Sequence, residues 1–221
     1  MYMLMGRVKI KICGITCRED LEVACNIGAD AVGFIVDVPS SPRNLTVKKA
    51  EELIRHVPIF VKSVLVIAPQ DLNDVLKLYG ELKPDIIQIH GDLNIQFLKE
   101  KLPNTPIIRS IAVKSEKTIK TTLKIAGHFD AVLLDSYSKG RIGGTGVVHD
   151  WSISRRIRDA IYPKPLILAG GLNSENVRDA IKAVKPYAVD VSTGVELKPG
   201  VKDPEKIEAF IRNAREAIID D

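Results

Sequence analysis

Eight short apolar, β-branched runs recur along the chain, at residues 8–13, 31–36, 61–67, 86–90, 106–112, 130–135, 165–169 and 188–192, each followed by a turn and a helical pattern. Several are apolar on both faces, as in Pro165-Leu166-Ile167-Leu168-Ala169, which is what parallel strands covered on each side require. A doubly wound sheet is the competing arrangement, but it would place a glycine-rich dinucleotide fingerprint after the first strand, and residues 13–18 hold only Gly14. The alternation therefore predicts an α/β protein of a single (β/α)8 TIM-barrel type. No tract rich in Gly, Pro or Ser divides the chain, and its 221 residues suit one domain over 1–221.

Start signals mark several of the helices. Thr16 followed by Glu19 reads as a capping box, and Asp203 before Pro204 reads as an N-cap with proline at the first helical position. Asp71, Ser115 and Ser174 stand at comparable starts. Leu21, Ala24 and Cys25 share one helical face, so Cys25 is expected in the core as a small hydrophobe. Residues 138–150 are glycine-rich and irregular, and a long loop is expected there, a mobile flap over the site that ends at His149-Asp150-Trp151.

Composition narrows the range of partners. Hydrophobic residues make up 45% and charged residues 27%, with a formal charge of +4, and the basic residues are interleaved with acidic ones. That pattern gives no nucleic-acid footprint, although a small basic excess would help recruit an anionic substrate. No 18-residue apolar run and no signal-peptide pattern is present, so neither a membrane nor an export route is expected. Three cysteines, Cys13, Cys17 and Cys25, crowd the first strand and helix. An odd count without an export signal points to reduced thiols and a cytoplasmic location. Their spacing lacks a paired CxxC with a nearby His, so no metal and no cofactor is expected.

The residues able to carry chemistry fall where a parallel barrel keeps it, at the carboxyl ends of strands. Cys13 closes the first run and Asp135 the sixth, a pair suited to act as base and acid. Gly170-Gly171-Leu172 follows strand seven and Ser192-Thr193-Gly194 follows strand eight. Glycines let backbone amides approach an anion, and these two loops together suit phosphate binding. Arg43, on a proline-stiffened turn after strand two, could clamp a carboxylate through two hydrogen bonds, or could equally be a solvated surface arginine. Gln88, His90, Arg109 and Asp190 are polar groups inside apolar strands. Each must be hydrogen-bonded or reach the wet end of the barrel, where it would contact substrate. Gln88 and His90 share a face by strand alternation and should point inward together. Gly143-Gly144-Thr145-Gly146 lacks the Gly-Lys-Ser/Thr of a phosphate loop.

Several strings taken in order resemble the phosphoribosylanthranilate isomerase family: Lys11-Ile12-Cys13-Gly14-Ile15-Thr16, Ser41-Pro42-Arg43, Gln88-Ile89-His90-Gly91, Leu133-Leu134-Asp135-Ser136, Gly143-Gly144-Thr145-Gly146, Leu168-Ala169-Gly170-Gly171-Leu172 and Asp190-Val191-Ser192-Thr193-Gly194-Val195-Glu196. The resemblance implies a TIM barrel that performs an Amadori rearrangement of N-(5-phosphoribosyl)anthranilate in tryptophan biosynthesis, without metal or organic cofactor. It further implies Cys13 as general base, Asp135 as general acid, Arg43 as the carboxylate clamp, and the loops after strands seven and eight as the phosphate site. The acid must hold a proton near neutral pH, which burial promotes, whereas the base must lose one, which neighbouring donors or positive charge would promote.

Other readings stay open on sequence grounds. A different sugar-phosphate isomerase or epimerase barrel would use the same phosphate loops. A metal-dependent epimerase would want paired strand-borne His and Asp ligands, and of the four histidines only His90 lies clearly on a strand. A non-catalytic phosphate-binding barrel would keep residues 170–174 and 192–196 and tolerate loss of Cys13 and Asp135. A related aminoaldose from histidine synthesis would undergo the same rearrangement. The expected partner is a small phosphorylated molecule, and the chain could act as monomer or homodimer.

Overall fold

In a computed structural model of the chain, which describes residues 7–91, 98–136 and 148–217, the β-branched runs become eight parallel strands. They are β1 (Lys9–Cys13), β2 (Ala31–Val36), β3 (Lys62–Ile67), β4 (Ile86–Ile89), β5 (Ile107–Val113), β6 (Ala131–Ser136), β7 (Leu166–Leu168) and β8 (Ala188–Val191). Each pairs with its successor, and β1 pairs with both β2 (Ile12 opposite Val32) and β8 (Ile10 opposite Val189), which closes the ring. Among the described residues eight α-helices alternate with them: α1 (Arg18–Ile27), α2 (Val47–Ile54), α3 (Leu72–Leu82), α4 (Leu98–Lys101), α5 (Lys117–Ile125), α6 (Trp151–Ile161), α7 (Val177–Val184) and α8 (Pro204–Arg215). A two-residue strand, Asn44–Leu45, lies beside β2, and Glu196–Lys198 pairs with Val201–Lys202 as a hairpin after β8.

Period-two alternation sorts the strand residues into two apolar layers. Ile10, Ile12, Phe34, Ile87, Ile89 and Leu134 face outward and join the helices in one large cluster. Ile108, Leu133, Ile167, Ala169 and Ala188 face inward and fill part of the barrel. Burying each Leu- or Ile-sized side chain on both faces contributes about 1.5–3 kcal/mol before entropy is counted.

The helix starts divide into local and tertiary cases. Asp203 caps α8 by accepting from Glu205 N at 3.0 Å and Lys206 N at 3.3 Å, with Pro204 at the first turn. Asp71 caps α3 by accepting from Asp74 N at 3.0 Å. The capping box at Thr16 does not form. Thr16 Oγ1 donates instead to the Gly200 carbonyl at 2.5 Å, and α1 begins after Cys17 with no side-chain cap. A hairpin that is distant in sequence offers the hydroxyl a better acceptor. Ser115 Oγ accepts from the N–H of Lys117, the first residue of α5, at 3.4 Å, whereas Ser174 does not cap: α7 begins at Val177 behind a turn in which Asn173 Oδ1 accepts from Glu175 N and Asn176 N. Cys25 packs against the main core, as expected.

The amino-terminal rim carries a repeated tie. Asp30, Asp85 and Asp130 each immediately precede an even-numbered strand, and each accepts a backbone N–H at the start of the preceding odd strand: Ile10 at 2.8 Å, Ser63 at 2.9 Å and Ile107 at 2.7 Å. Burial opposes the charge on Asp30, but the Ile10 amide, Lys9 and Arg215 outweigh it and hold its pKa below the usual value. A depressed folded pKa contributes stability above the unfolded pKa, which is lost as pH falls. Asp30→Ala should therefore cost about 1–3 kcal/mol at pH 7, and the deficit should shrink on acidification below about pH 4. Urea unfolding at several pH values checks this; a pH-independent deficit would assign the loss to packing.

Candidate active site

β1 presents Lys11 and Cys13 inward while Ile10 and Ile12 pack outward. Room for them comes from Gly33 on β2, where an added Cβ would lie 2.9 Å from Cys13 Sγ and 3.2 Å from Lys11 Cε. β6 brings Asp135 to the same end, β4 brings Gln88 and His90, and β8 brings Asp190. Cys13, Arg43, Gln88, His90, Asp135, Asp190 and Ser192 all line one cavity of about 550 Å³ at the carboxyl ends of the strands. A second space of about 310 Å³ shares Asp135, Asp190 and Ser192 with the first, and it is walled by Gly170, Gly171, Leu172 and Thr193. Thiol and carboxyl therefore meet in one cavity that opens toward the glycine loops.

Those loops are close-packed. Gly170 has φ +85°, and an added Cβ would lie 2.4 Å from Ser136 N, which strand geometry cannot relieve. At Gly194 an added Cβ would lie 1.9 Å from the Leu172 carbonyl oxygen, so the loops after β7 and β8 touch backbone to backbone. Ser192 Oγ is buried between them without a hydrogen-bond partner among the described residues.

The buried charges are paired. Lys11 Nζ donates to Asp190 Oδ1 at 2.9 Å, with both side chains nearly inaccessible. Burial works against the Lys11 charge, but Asp190 and Cys13 more than offset it, and its pKa is raised. Arg43 Nε and Nη2 both donate to Glu196, each at 2.6 Å. This bidentate grip leaves the Nη1 side of the guanidinium without a hydrogen bond among the described residues. Burial opposes the Glu196 charge, yet Arg43 and Lys202 hold its carboxyl below the usual range. Arg43 is thus a buried, oriented group at the cavity wall, with 7% exposure, and the solvated-arginine alternative does not hold.

Acid and base candidates are shifted in ways that differ from the sequence expectation for one of them. Burial pushes the Asp135 carboxyl up to about 6, although Oδ1 accepts from Ser136 N at 2.7 Å. Burial also pushes the Cys13 thiol up; Lys11 pulls it down, Asp190 pushes it further up, Lys202 pulls it down, and the net direction is upward. The positive neighbours expected to favour the thiolate are present, but burial outweighs them.

Gln88 and His90 point inward together, with Gln88 Nε2 3.0 Å from His90 Nε2 and Ser110 Oγ 3.2 Å from the same nitrogen. Burial lowers the His90 pKa to about 4, so the ring is neutral, and Gln88 Oε1 is a buried acceptor without a partner among the described residues. Arg109 departs from the expectation of a substrate contact. It shares the outward parity of Ile107 and Ile111, does not line the cavity, and places its guanidinium 5.8 Å from the centre of the Phe129 ring. Residues 137–147, which hold the expected glycine-rich flap, lie outside the described residues. His149 just beyond them is held between Ser136 Oγ at 3.1 Å and Ser154 Oγ at 2.6 Å.

Sequence reasoning assigned no role to Lys11, Lys202 or Glu196. Lys11 was findable, since it lies two residues before Cys13 and therefore on the same strand face. Lys202 and Glu196 were not, because only the hairpin after β8 folds them under the strand ends. Among the described residues, no three His, Cys, Asp or Glu side chains form a metal-binding group. No helix among them is long and apolar enough to cross a membrane.

Fold and cavity together define a (β/α)8 barrel whose carboxyl face, where chemistry resides in this architecture, holds a cavity lined by ionisable groups. Comparison with known proteins is specific. The family model for N-(5'-phosphoribosyl)anthranilate isomerase matches residues 10–213. An N-(5'-phosphoribosyl)anthranilate isomerase of Methanothrix thermoacetophila is 45% identical over 210 residues, covering 94% of this chain and 98% of that protein. The crystal structure of phosphoribosyl anthranilate isomerase from Thermotoga maritima superposes with a TM-score of 0.84 at 37% identity, covering 94% of this chain and 98% of that one. A crystal structure of the same kind of isomerase in complex with reduced 1-(o-carboxyphenylamino)-1-deoxyribulose 5-phosphate gives a TM-score of 0.81 at 36% identity over 94% of this chain and 98% of that one. The chain belongs to the N-(5'-phosphoribosyl)anthranilate isomerase family.

The raised Asp135 pKa is a stability statement. A carboxyl whose folded pKa lies near 6 rather than 3.8 destabilises the fold once pH exceeds the unfolded value, and the penalty is complete above the folded one. Asp135→Asn, which keeps an acceptor for Ser136 N, should stabilise the protein by about 1–3 kcal/mol at pH 8 and by almost nothing at pH 3. Denaturant melts at the two pH values test this, and an equal effect at both would contradict it.

Proposed function

We propose that this chain catalyses the Amadori rearrangement of N-(5-phosphoribosyl)anthranilate to 1-(2-carboxyphenylamino)-1-deoxyribulose 5-phosphate, an isomerase step of tryptophan biosynthesis. The observation that carries the reading is the convergence of Cys13 and Asp135 on one cavity in a chain of this family. Asp135, as the acid, gives its proton to the furanose oxygen while the ring opens to a Schiff base. Cys13, as the thiolate, removes the proton from C2′. The resulting enolamine tautomerises to the ketone, so no net oxidation, group transfer or cofactor is involved.

The surrounding groups suit the substrate's two anionic ends. Arg43, locked on one edge by Glu196, offers its remaining N–H groups to a carboxylate in fixed orientation. The paired glycine loops and the unpartnered Ser192 hydroxyl offer donors to a phosphate. Gln88 Oε1, buried and unpartnered, suits a donor on the bound molecule. Asp190 is engaged by Lys11, and its role is to hold that charge beneath the reacting centre.

At neutral pH the resting form has Asp135 largely ionised and Cys13 as thiol, the reverse of the working pair. The productive form differs by one proton moved from sulfur to carboxyl, so its fraction is constant between the two pKa values and falls outside them. kcat/KM, which reports the free enzyme, should therefore rise with pH through a limb near the Asp135 pKa of about 6, run level, and fall as the thiol ionises. The residual activity of Asp135→Asn, which depends on the thiolate alone, should rise with pH without a break near 6 up to the pKa of the thiol, and a persistent break near 6 would reassign it.

Cys13→Ser and Asp135→Asn should each lower kcat by about 10²-fold or more with little change in KM, because both act mainly in the transition state. Arg43→Ala should chiefly raise KM. The fluorescence decay of freshly made phosphoribosylanthranilate with purified protein measures all three. Near-native turnover of Cys13→Ser would end the base assignment, and binding without turnover by the unaltered protein would favour a non-catalytic phosphate-binding barrel.

A further inference from the structure

Lys202 ends the second strand of the hairpin after β8, and its side chain is shielded from solvent completely, at 0% exposure. Its Nζ lies 2.6 Å from the Cys13 carbonyl oxygen, 3.1 Å from the Ser192 carbonyl oxygen and 3.0 Å from Glu196 Oε1. Burial lowers the Lys202 pKa against the pull of Glu196 and Cys13, but its ammonium has three N–H bonds, and here each finds one acceptor. The acceptors belong to the end of β1, to the loop after β8, and to the carboxylate that grips Arg43. One buried ammonium thus fastens together the carriers of the proposed base, the proposed phosphate loop and the proposed carboxylate clamp.

The balance of charge around Cys13 gives a second and independent reason. The cations facing it are Lys11 on its own strand, Arg43 from the loop after β2, and Lys202 from the hairpin. The anions are Asp190 on β8, paired with Lys11, and Glu196, shared by Arg43 and Lys202, while the buried Asp20 of α1 accepts from the Lys202 backbone N–H at 2.9 Å and not from its ammonium. Among the described residues, Asp135 and His90 complete the titratable lining of the cavity; His90 is neutral, and Asp135 carries its proton in the working form. Among the described residues, the three cations facing the thiol meet two carboxylates that pair with their charged ends, which leaves one positive charge in excess there, in a place where unbalanced charge is costly. A thiolate at Cys13 brings the cluster to zero.

We propose that Lys202 is a positioning residue for the rearrangement: it holds the Cys13 and Ser192 backbones in register with Arg43 and supplies the unbalanced positive charge that a Cys13 thiolate neutralises. The proposal rests on the reading of Cys13 as the base, and it adds a specific source for the charge that makes this base usable. Removing Lys202 takes away the excess, whereas neutralising Glu196 increases it. The two changes therefore push the thiol in opposite directions, which simple loosening of the hairpin would not do.

The test uses the full-length protein and its Lys202→Met and Glu196→Gln variants. Alkylation of Cys13 by iodoacetamide is followed against pH, with the Cys17 and Cys25 peptides resolved by mass. Lys202→Met should move the Cys13 midpoint up by about one pH unit or more, cutting reactivity at neutral pH roughly tenfold, and should lower kcat more than it raises KM. Glu196→Gln should move the midpoint down and, by releasing Arg43, raise KM for phosphoribosylanthranilate. An unmoved midpoint in a folded Lys202→Met variant, or shifts of the same sign in both variants, overturns the proposal. Should Lys202→Met fail to fold, Glu196→Gln decides alone, and an unchanged or raised midpoint there counts against it. Absence of turnover by the unaltered protein would instead refute the isomerase reading, while the alkylation profiles would still report the charge linkage.

Discussion

Everything at the carboxyl face depends on the need to match charges that the barrel has taken out of water. Lys11 and Asp190 are neighbours across the seam where β1 meets β8, so the ion pair and the closure of the ring require each other. Unpaired, either side chain would be a buried charge in an apolar barrel, at a cost of several kcal/mol. Above that pair the Arg43–Glu196–Lys202 network repeats the principle with residues from the loop after β2 and the hairpin after β8. Together they make the first and last units of the chain one structural object, and Cys13 sits within it.

The two rims of the barrel divide the work. At the amino-terminal rim, Asp30, Asp85 and Asp130 tie successive strands through backbone amides, an arrangement whose consequence is stability. At the carboxyl rim some polar atoms have no partner among the described residues, Gln88 Oε1 and Ser192 Oγ among them. Asp135 is held there at a pKa of about 6 by burial. Such features destabilise a fold unless a ligand satisfies them, and a protein tolerates them where it binds and reacts. The same burial that raises the Asp135 pKa also raises that of Cys13, so the cationic neighbours of the thiol oppose a cost that the cavity itself creates.

Much of this was legible in the residues. All eight strands lie within two residues of the apolar runs, because two-sided burial forces continuous β-branched stretches that local composition reveals. Cys13 and Asp135 stood out as ionisable groups that end such runs, and the glycine loops after β7 and β8 stood out by position. Arg109 misled, since an arginine inside an apolar strand has two faces to choose from. Only the register with its neighbours shows that it turns outward toward Phe129. Thr16 misled in a similar way: its capping-box spacing is local, but the acceptor it uses, the Gly200 carbonyl, is 184 residues away.

By itself, then, the sequence determined the alternation of strands and helices, the barrel that follows from it, and which residue types stand at the strand ends, since these depend on periodicity and nearest-neighbour chemistry. The tertiary structure alone decided which charges meet. Glu196, although it ends a string that carries the family resemblance, and Lys202 belong to a short hairpin, and they become partners of Arg43 and Cys13 only once the ring closes β1 against β8. The shifted ionisation of Asp135 and Cys13 has the same origin, because burial and the sum of neighbouring charges are properties of a closed cavity.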